Sequence, residues 1–357
     1  MQENITSQQM PKQKAAFIRY LPFIIVGIVL VAAGLYLEFF SSGSFKDLLP
    51  QSTDEKSNLE LTSKGTAPEF TGISTWLNSK PLTMESLRGK VVLVDFWTYS
   101  CINCIRTLPY ITSWHEKYAE EGLVIVGVHT PEFAFEKVTA NVETALARHN
   151  INYPVAQDND FMTWRAYSNR FWPAKYLINQ DGQIVYTHFG EGKYEETESA
   201  IRILLGLESG LAETTSTTSG VRSDVRTPEI YFGSLRLEAF SGTPSPAAQA
   251  QEYSFPEKLS PNNFSLSGQW QFAEEYTELF GDAGSIGLNF YAGNVFIVAE
   301  ADQPVVVEVY LDGVLHNQVT VEESKLYTLV DGASYGPHIL ELRVKNSGLR
   351  AFTFTFG

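Results

Sequence analysis

Asp95-Phe96-Trp97-Thr98-Tyr99-Ser100-Cys101-Ile102-Asn103-Cys104 holds both cysteines of the 357-residue chain, at the C-x-x-C spacing. Ahead of the pair, Val91–Phe96 is apolar except for Asp95 and reads as a buried strand. Behind it, from Cys101 to about Glu120, Ile105, Leu108, Ile111 and Trp114 recur at helical spacing. The pair therefore falls where a strand hands over to a helix. The free N–H groups and positive end of a helix favour a thiolate, which is the reactive form. Cys101, at the helix start, is the expected exposed nucleophile. Cys104, one turn on and on the same side, is placed to attack a mixed disulfide and release the partner.

Blander readings of the pair fit less well. A zinc site wants about four ligands; with no third cysteine the others would come from His115, His129, His149 or His188, none at a paired ligand spacing. A purely structural bridge would close so short a loop that chain entropy offers about 2 kcal/mol. A peroxidatic cysteine would want Pro-x-x-x-Thr-x-x-Cys; Thr98 fits, but Val94 stands where the proline belongs. A redox dithiol needs neither metal nor cofactor, and none is expected.

The beginning of the chain reads as an address. Residues 1–19 are a polar tail with Lys12, Lys14 and Arg19, and the 18 residues Tyr20–Leu37 carry no charge. At helical rise that run spans about 27 Å, enough for a bilayer core with help from Phe39 and Phe40. Positive charge before the span predicts an N-terminus in the cytoplasm and the remaining chain outside. Leu35-Tyr36-Leu37 continues past the small residues Ala32-Ala33-Gly34 with no clean Ala-x-Ala site, which favours an uncleaved anchor at 20–40 over a signal peptide. Serine-rich 41–65 and the Ser/Thr-rich 211–227 read as linkers, leaving 66–210 and 228–357 as two expected domains. Hydrophobic content of 44% suits packed cores, and a net charge of −15 argues against a nucleic-acid partner.

Between the linkers the pattern alternates. A hairpin is expected around Ile73–Leu82, turning at Asn78-Ser79-Lys80-Pro81, then strand Val91–Phe96 and the cysteine-bearing helix. Strand Leu123–His129, helix Phe133–Asn150, strand Pro154–Gln157 and helix Phe161–Tyr167 follow. Strands Ala174–Asn179 and Ile184–Phe189 flank Gln180-Asp181-Gly182, and helix Glu195–Leu207 closes the unit. This is the thioredoxin plan, an α/β fold. Pro109 should kink the active-site helix. Pro173, entering the strand from Ala174, sits where thioredoxin folds place a cis proline beside the cysteines.

Residues 66–207 resemble the TlpA-related thioredoxin-like domain at the C-terminal side of the DipZ proteins of bacterial cytochrome c biogenesis. Besides the cysteine stretch, the resemblance runs through Arg106-Thr107-Leu108-Pro109-Tyr110, Gly127-Val128-His129-Thr130-Pro131-Glu132-Phe133, Asp158-Asn159-Asp160, Trp172-Pro173-Ala174 and His188-Phe189-Gly190-Glu191-Gly192. It implies an extracytoplasmic thiol–disulfide oxidoreductase, more often reducing than oxidising, with disulfide-bearing exported proteins as clients. DipZ proteins carry a multi-helix, CcdA-like electron-carrying region, whereas one span is expected here, so a separate CcdA-like membrane donor is implied. TlpA-like reductases carry a glutamate near the buried cysteine at the place of Glu132; it would take the proton of Cys104, although a solvated glutamate at a helix start is an equal alternative. His129 is a weaker candidate for the same task. Trp97 and Trp172 would shield the pair from water.

From 228 onward the pattern changes. Ile286–Phe290, Val295–Val298, Val305–Leu311, Leu326–Val330, His338–Val344 and Ala351–Phe356 read as strands, with Asp312-Gly313 as a hairpin turn. An all-β sandwich of the jelly-roll type is expected. Thr227-Pro228-Glu229 and the closing Ala351–Gly357 extend the DipZ resemblance, which implies a domain like a carbohydrate-binding module. The alternative function is therefore a cell-envelope module binding glycan or protein, with Trp270 the one tryptophan available as a sugar platform. The linker composition predicts a flexible connection, so that the β domain leaves the redox chemistry untouched.

Overall fold

A strand covered on both faces must be apolar nearly throughout, and Val91–Trp97 is buried at every position. The computed structural model describes residues 59–207, 227–246 and 249–357. Val91–Trp97 lies parallel to Leu123–His129, which lies parallel to Val155–Gln157. On its other side runs antiparallel Ala174–Ile178, then Ile184–Phe189, while Thr75–Leu77 closes the far edge of the six-stranded sheet. Helix Ile102–Tyr118, with Pro109 inside it, buries Cys104, Leu108, Ile111, Trp114 and Tyr118. Helices Thr139–Arg148, Met162–Ala166 and Tyr194–Leu204 complete the thioredoxin-like part.

Two local expectations are corrected. Only Thr75–Leu77 of the hairpin forms, pairing with Val155–Gln157. Asn78 turns the chain away at φ 60°, and its amide donates to the carbonyls of Ile151 and Tyr153 at 2.9 and 3.1 Å. The helix from Phe133 is broken: Ala134–Lys137 is a 3-10 turn, Val138 is extended, and the α-helix begins at Thr139. The break lets adjacent Phe135 and Glu136 both turn inward.

The C-terminal part is all β, but among the described residues its ten strands join one hydrogen-bonded sheet rather than the two sheets of a jelly roll. The device is the 16-residue strand Thr277–Ala292. Its start pairs with Arg350–Phe356, its later part with Gly336–Val344, and both parts with Phe264–Phe272 across a register shift between Leu279 and Gly284. A strand that changes neighbours at a bulge turns a corner and curls the sheet on itself. Gly284 is required there, since a Cβ would lie 3.0 Å from the Ser267 carbonyl oxygen and 3.0 Å from Trp270 Nε1. Asp312 and Gly313 both have positive φ, 51° and 82°, and link Val305–Leu311 to Val314–Val321.

The two parts share a core, against the expectation of uncoupled domains. Phe352, 2% exposed, packs edge-on against Phe133 and Phe135 at ring distances of 5.2 and 4.8 Å. Arg148 pairs with Glu323, and the Ala134 N–H donates to Glu275 at 2.8 Å. The expected tail, the span Tyr20–Leu37 and most of both linkers lie outside the described residues. Among the described residues no helix is long and apolar enough to cross a membrane.

Candidate active site

The sheet delivers the cysteine pair by ending Val91–Trp97 one short loop before the helix. Cys101 caps that helix with extended backbone, φ −79° and ψ 118°, and is half-buried. Cys104, one turn in, is 1% exposed. Burial pushes the Cys104 thiol well above its usual range, helped by its hydrogen bond to Cys101 and the charges of Cys101 and Asp95. The buried sulfur is thus a protonated thiol behind an accessible one. The Trp172–Pro173 bond is cis. Trp172 donates from Nε1 to the Thr130 carbonyl at 3.1 Å and joins Cys101 in lining one cleft.

Glu132 lines the Cys101 cleft, and its Oε1 accepts from Tyr231 Oη at 2.9 Å and Arg236 at 2.7 Å, both from the β domain. His129 is fully buried, stacks on Tyr99 at 5.7 Å and approaches Thr98 Oγ1 at 3.4 Å. Burial holds its pKa down at about 3, so near neutrality it is an uncharged packing residue. Trp97 is wholly buried, and Gly127 leaves the room its indole needs, since a Cβ there would lie 2.9 Å from Nε1.

Three site residues were not singled out from the sequence. Asp95, 1% exposed, leaves both carboxylate oxygens without a hydrogen-bond partner. Burial lifts its pKa from 3.8 to about 6 against the pull of Lys175, which is its register partner on the neighbouring strand. Lys175 is itself fully buried, and desolvation lowers its pKa while Asp95, Cys104 and Glu191 oppose that. A lone aspartate in an apolar strand running into C-x-x-C is a signal that could have been read. Glu136 is the third. Its Oε1 accepts from Ser100 Oγ at 2.6 Å, and its Oε2 accepts the N–H of Phe133 at 3.0 Å and that of Glu132. It is wholly buried, and burial raises its pKa to about 7. Glu136 ties the loop before Cys101 to the 3-10 turn, a role that only the break at Val138 reveals.

Among the described residues no group of three or more His, Cys, Asp or Glu side chains is placed to share a metal ion. Trp270 is no sugar platform: it is fully buried in the β core, with Nε1 donating to the Ser267 carbonyl at 2.8 Å.

A half-buried thiol at a helix start with a buried thiol one turn behind it is the arrangement of a thioredoxin-like thiol–disulfide oxidoreductase, and the chain belongs to that family. Residues 62–204 match the Redoxin family model, and residues 227–357 match the model described as "Thioredoxin like C-terminal domain". Together they form a DipZ-like C-terminal region: Protein DipZ of Mycobacterium tuberculosis is 38% identical over 306 residues, covering 84% of this chain and 44% of DipZ. The chain thus spans less than half the length of that relative. Thiol-disulfide oxidoreductase YkuV of Bacillus subtilis is 33% identical over 126 residues, 35% of this chain and 82% of YkuV. A thioredoxin-like protein solved in its oxidised form is 29% identical, with TM-score 0.38, covering 42% of this chain and 99% of that one.

Proposed function

We propose that the chain is a membrane-tethered extracytoplasmic oxidoreductase that reduces disulfides of exported proteins, apocytochrome c among them. The asymmetry of the pair carries the proposal: Cys101 opens on the cleft while Cys104 lies buried behind it. The Cys101 thiolate attacks one sulfur of a client disulfide, the client S–S bond breaks, and the other client sulfur leaves with the electron pair and takes a proton. Cys104 then gives up its proton and attacks the Cys101 sulfur, releasing the second client thiol. Asp95, buried and without a hydrogen-bond partner, is the carboxylate suited to accept that proton. The client gains two electrons and two protons, and a Cys101–Cys104 disulfide remains. A CcdA-like membrane donor would restore the dithiol, and the uncharged run Tyr20–Leu37 would hold the protein beside it.

The reduced protein should therefore reduce insulin, with a potential nearer thioredoxin's about −270 mV than the about −120 mV of a strong oxidant. Cys104→Ser should accumulate mixed disulfides with clients and Cys101→Ser should not. Failure of both insulin reduction and trapping would sink the proposal.

A further inference from the structure

Cys101 lines a cleft of about 340 Å³ that it shares with the β domain: Glu229, Tyr231, Arg236 and Phe356 line it together with Cys101 and Trp172. Two carboxylates meet there around one phenol. Tyr231 Oη lies 2.9 Å from Glu132 Oε1 and 2.7 Å from Glu229 Oε2. A tyrosine has a single O–H and can donate to one carboxylate at a time. Both contacts are hydrogen bonds only when one of the two acids carries a proton and donates it to the phenol oxygen.

Geometry indicates which acid that is. Arg236 holds the Glu132 oxygen at 2.7 Å and lies over the Tyr231 ring at 3.7 Å. Arg236 favours negative charge at Glu132, so of the two acids Glu229 is the one placed to hold the shared proton. The charged groups acting on Glu229 are Glu132 and Arg236, with Tyr231 its hydrogen-bond partner and the Cys101 thiol on the same cleft. Desolvation and the charge of Glu132 push its pKa up to about 7. Much of the Glu229 surface still opens to solvent, so water tempers that rise and gives the acid a route to be reprotonated.

We propose that the Glu132–Tyr231–Glu229 chain stores one proton beside Cys101 and gives it to the sulfur that leaves a client disulfide, making the β domain part of the exchange site. This rests on the reductase reading. As the bond between Cys101 and the first client sulfur forms and the client S–S bond breaks, the departing sulfur takes the electron pair from that bond and the proton from Glu229. The Glu229 carboxylate then regains one proton from solvent, so each turnover moves one proton out of the chain and one back.

The test uses the full-length reduced protein in detergent and two disulfides. One is a cystine peptide, whose leaving thiol has a pKa of about 8.5 and needs the proton. The other is an aromatic disulfide whose leaving thiolate does not. Glu229→Gln keeps the shape and the hydrogen bonding but carries no transferable proton. It should slow the first reaction about tenfold or more near neutral pH, leave the second unchanged, and abolish the fall in the cystine-peptide rate as rising pH strips the proton from Glu229. Tyr231→Phe should give the same split. An equal loss with both disulfides, or no loss with either, overturns the proposal and leaves the reductase reading standing. Wild-type protein inert toward both disulfides overturns the reductase reading and this proposal with it, and that is seen before any substitution is made.

Discussion

Replacing Asp95 with asparagine should stabilise the reduced protein by about 3 kcal/mol at neutral pH. The side chain is fully buried, and its pKa rises from 3.8 to about 6 although Lys175 pulls it down. That gap, at about 1.4 kcal/mol per pH unit, gives the figure, which already contains the attraction of Lys175. Below pH 3.8 the group is protonated folded and unfolded, and contributes no difference. Between 3.8 and about 6 the folded state keeps a proton that the unfolded state releases, so stability falls as pH rises, and above that window the cost is constant. Asparagine does not titrate and escapes the cost. Urea unfolding of wild type and Asp95→Asn in reducing buffer, from about pH 4 to about pH 8, should show a difference that grows through the window and then levels. A flat difference, or a variant less stable than wild type at the alkaline end, would refute burial as the source of the raised pKa. The same variant should prolong the mixed disulfide, since Cys104 loses the carboxylate that takes its proton.

Phe352→Ala should cost about 3–5 kcal/mol, the usual range for a buried phenylalanine, and should lower the urea midpoints of both parts together. A drop confined to the β domain would deny the shared core. A chain ending at Leu207 should lose stability and aggregate, because Phe133 and Phe135 lose their cover; retention of normal stability and reductase activity would restore the picture of independent domains. In cells, protease added from outside should digest the chain beyond Ser41 while an alkaline wash leaves it in the membrane, and release into the wash would refute the tether.

The strands around the cysteine pair were legible because burial on both faces leaves an apolar run with few alternatives. Leu123–His129 was legible to its ends for that reason. Val314–Val321 escaped notice because it is an exposed edge strand with His316, Asn317 and Gln318 at its middle, so no alternation marks it. Of the long strand Thr277–Ala292 only Ile286–Phe290 was legible, because Gly281, Asp282 and Gly284 at the corner interrupt the apolar alternation. Glu132, a candidate from the sequence, lines the Cys101 cleft, but what holds it there was not legible. Its true partner Arg236 lies 104 residues away, beyond the reach of any local pattern.

Linker composition misled about coupling because it weighs the smaller of two terms. Doubling a flexible loop costs only about 0.6 kcal/mol of closure entropy, whereas burying one aromatic side chain such as Phe352 contributes about 1.5–3 kcal/mol. What couples the β domain to the redox centre is the short segment 132–136. Glu132 reaches Tyr231 and Arg236, Phe133 and Phe135 pack on Phe352, and Glu136 bonds Ser100. Ser100 is the residue before Cys101. A displacement of the β domain therefore reaches the nucleophile through one side-chain hydrogen bond and one peptide unit, whatever the length of chain between the domains.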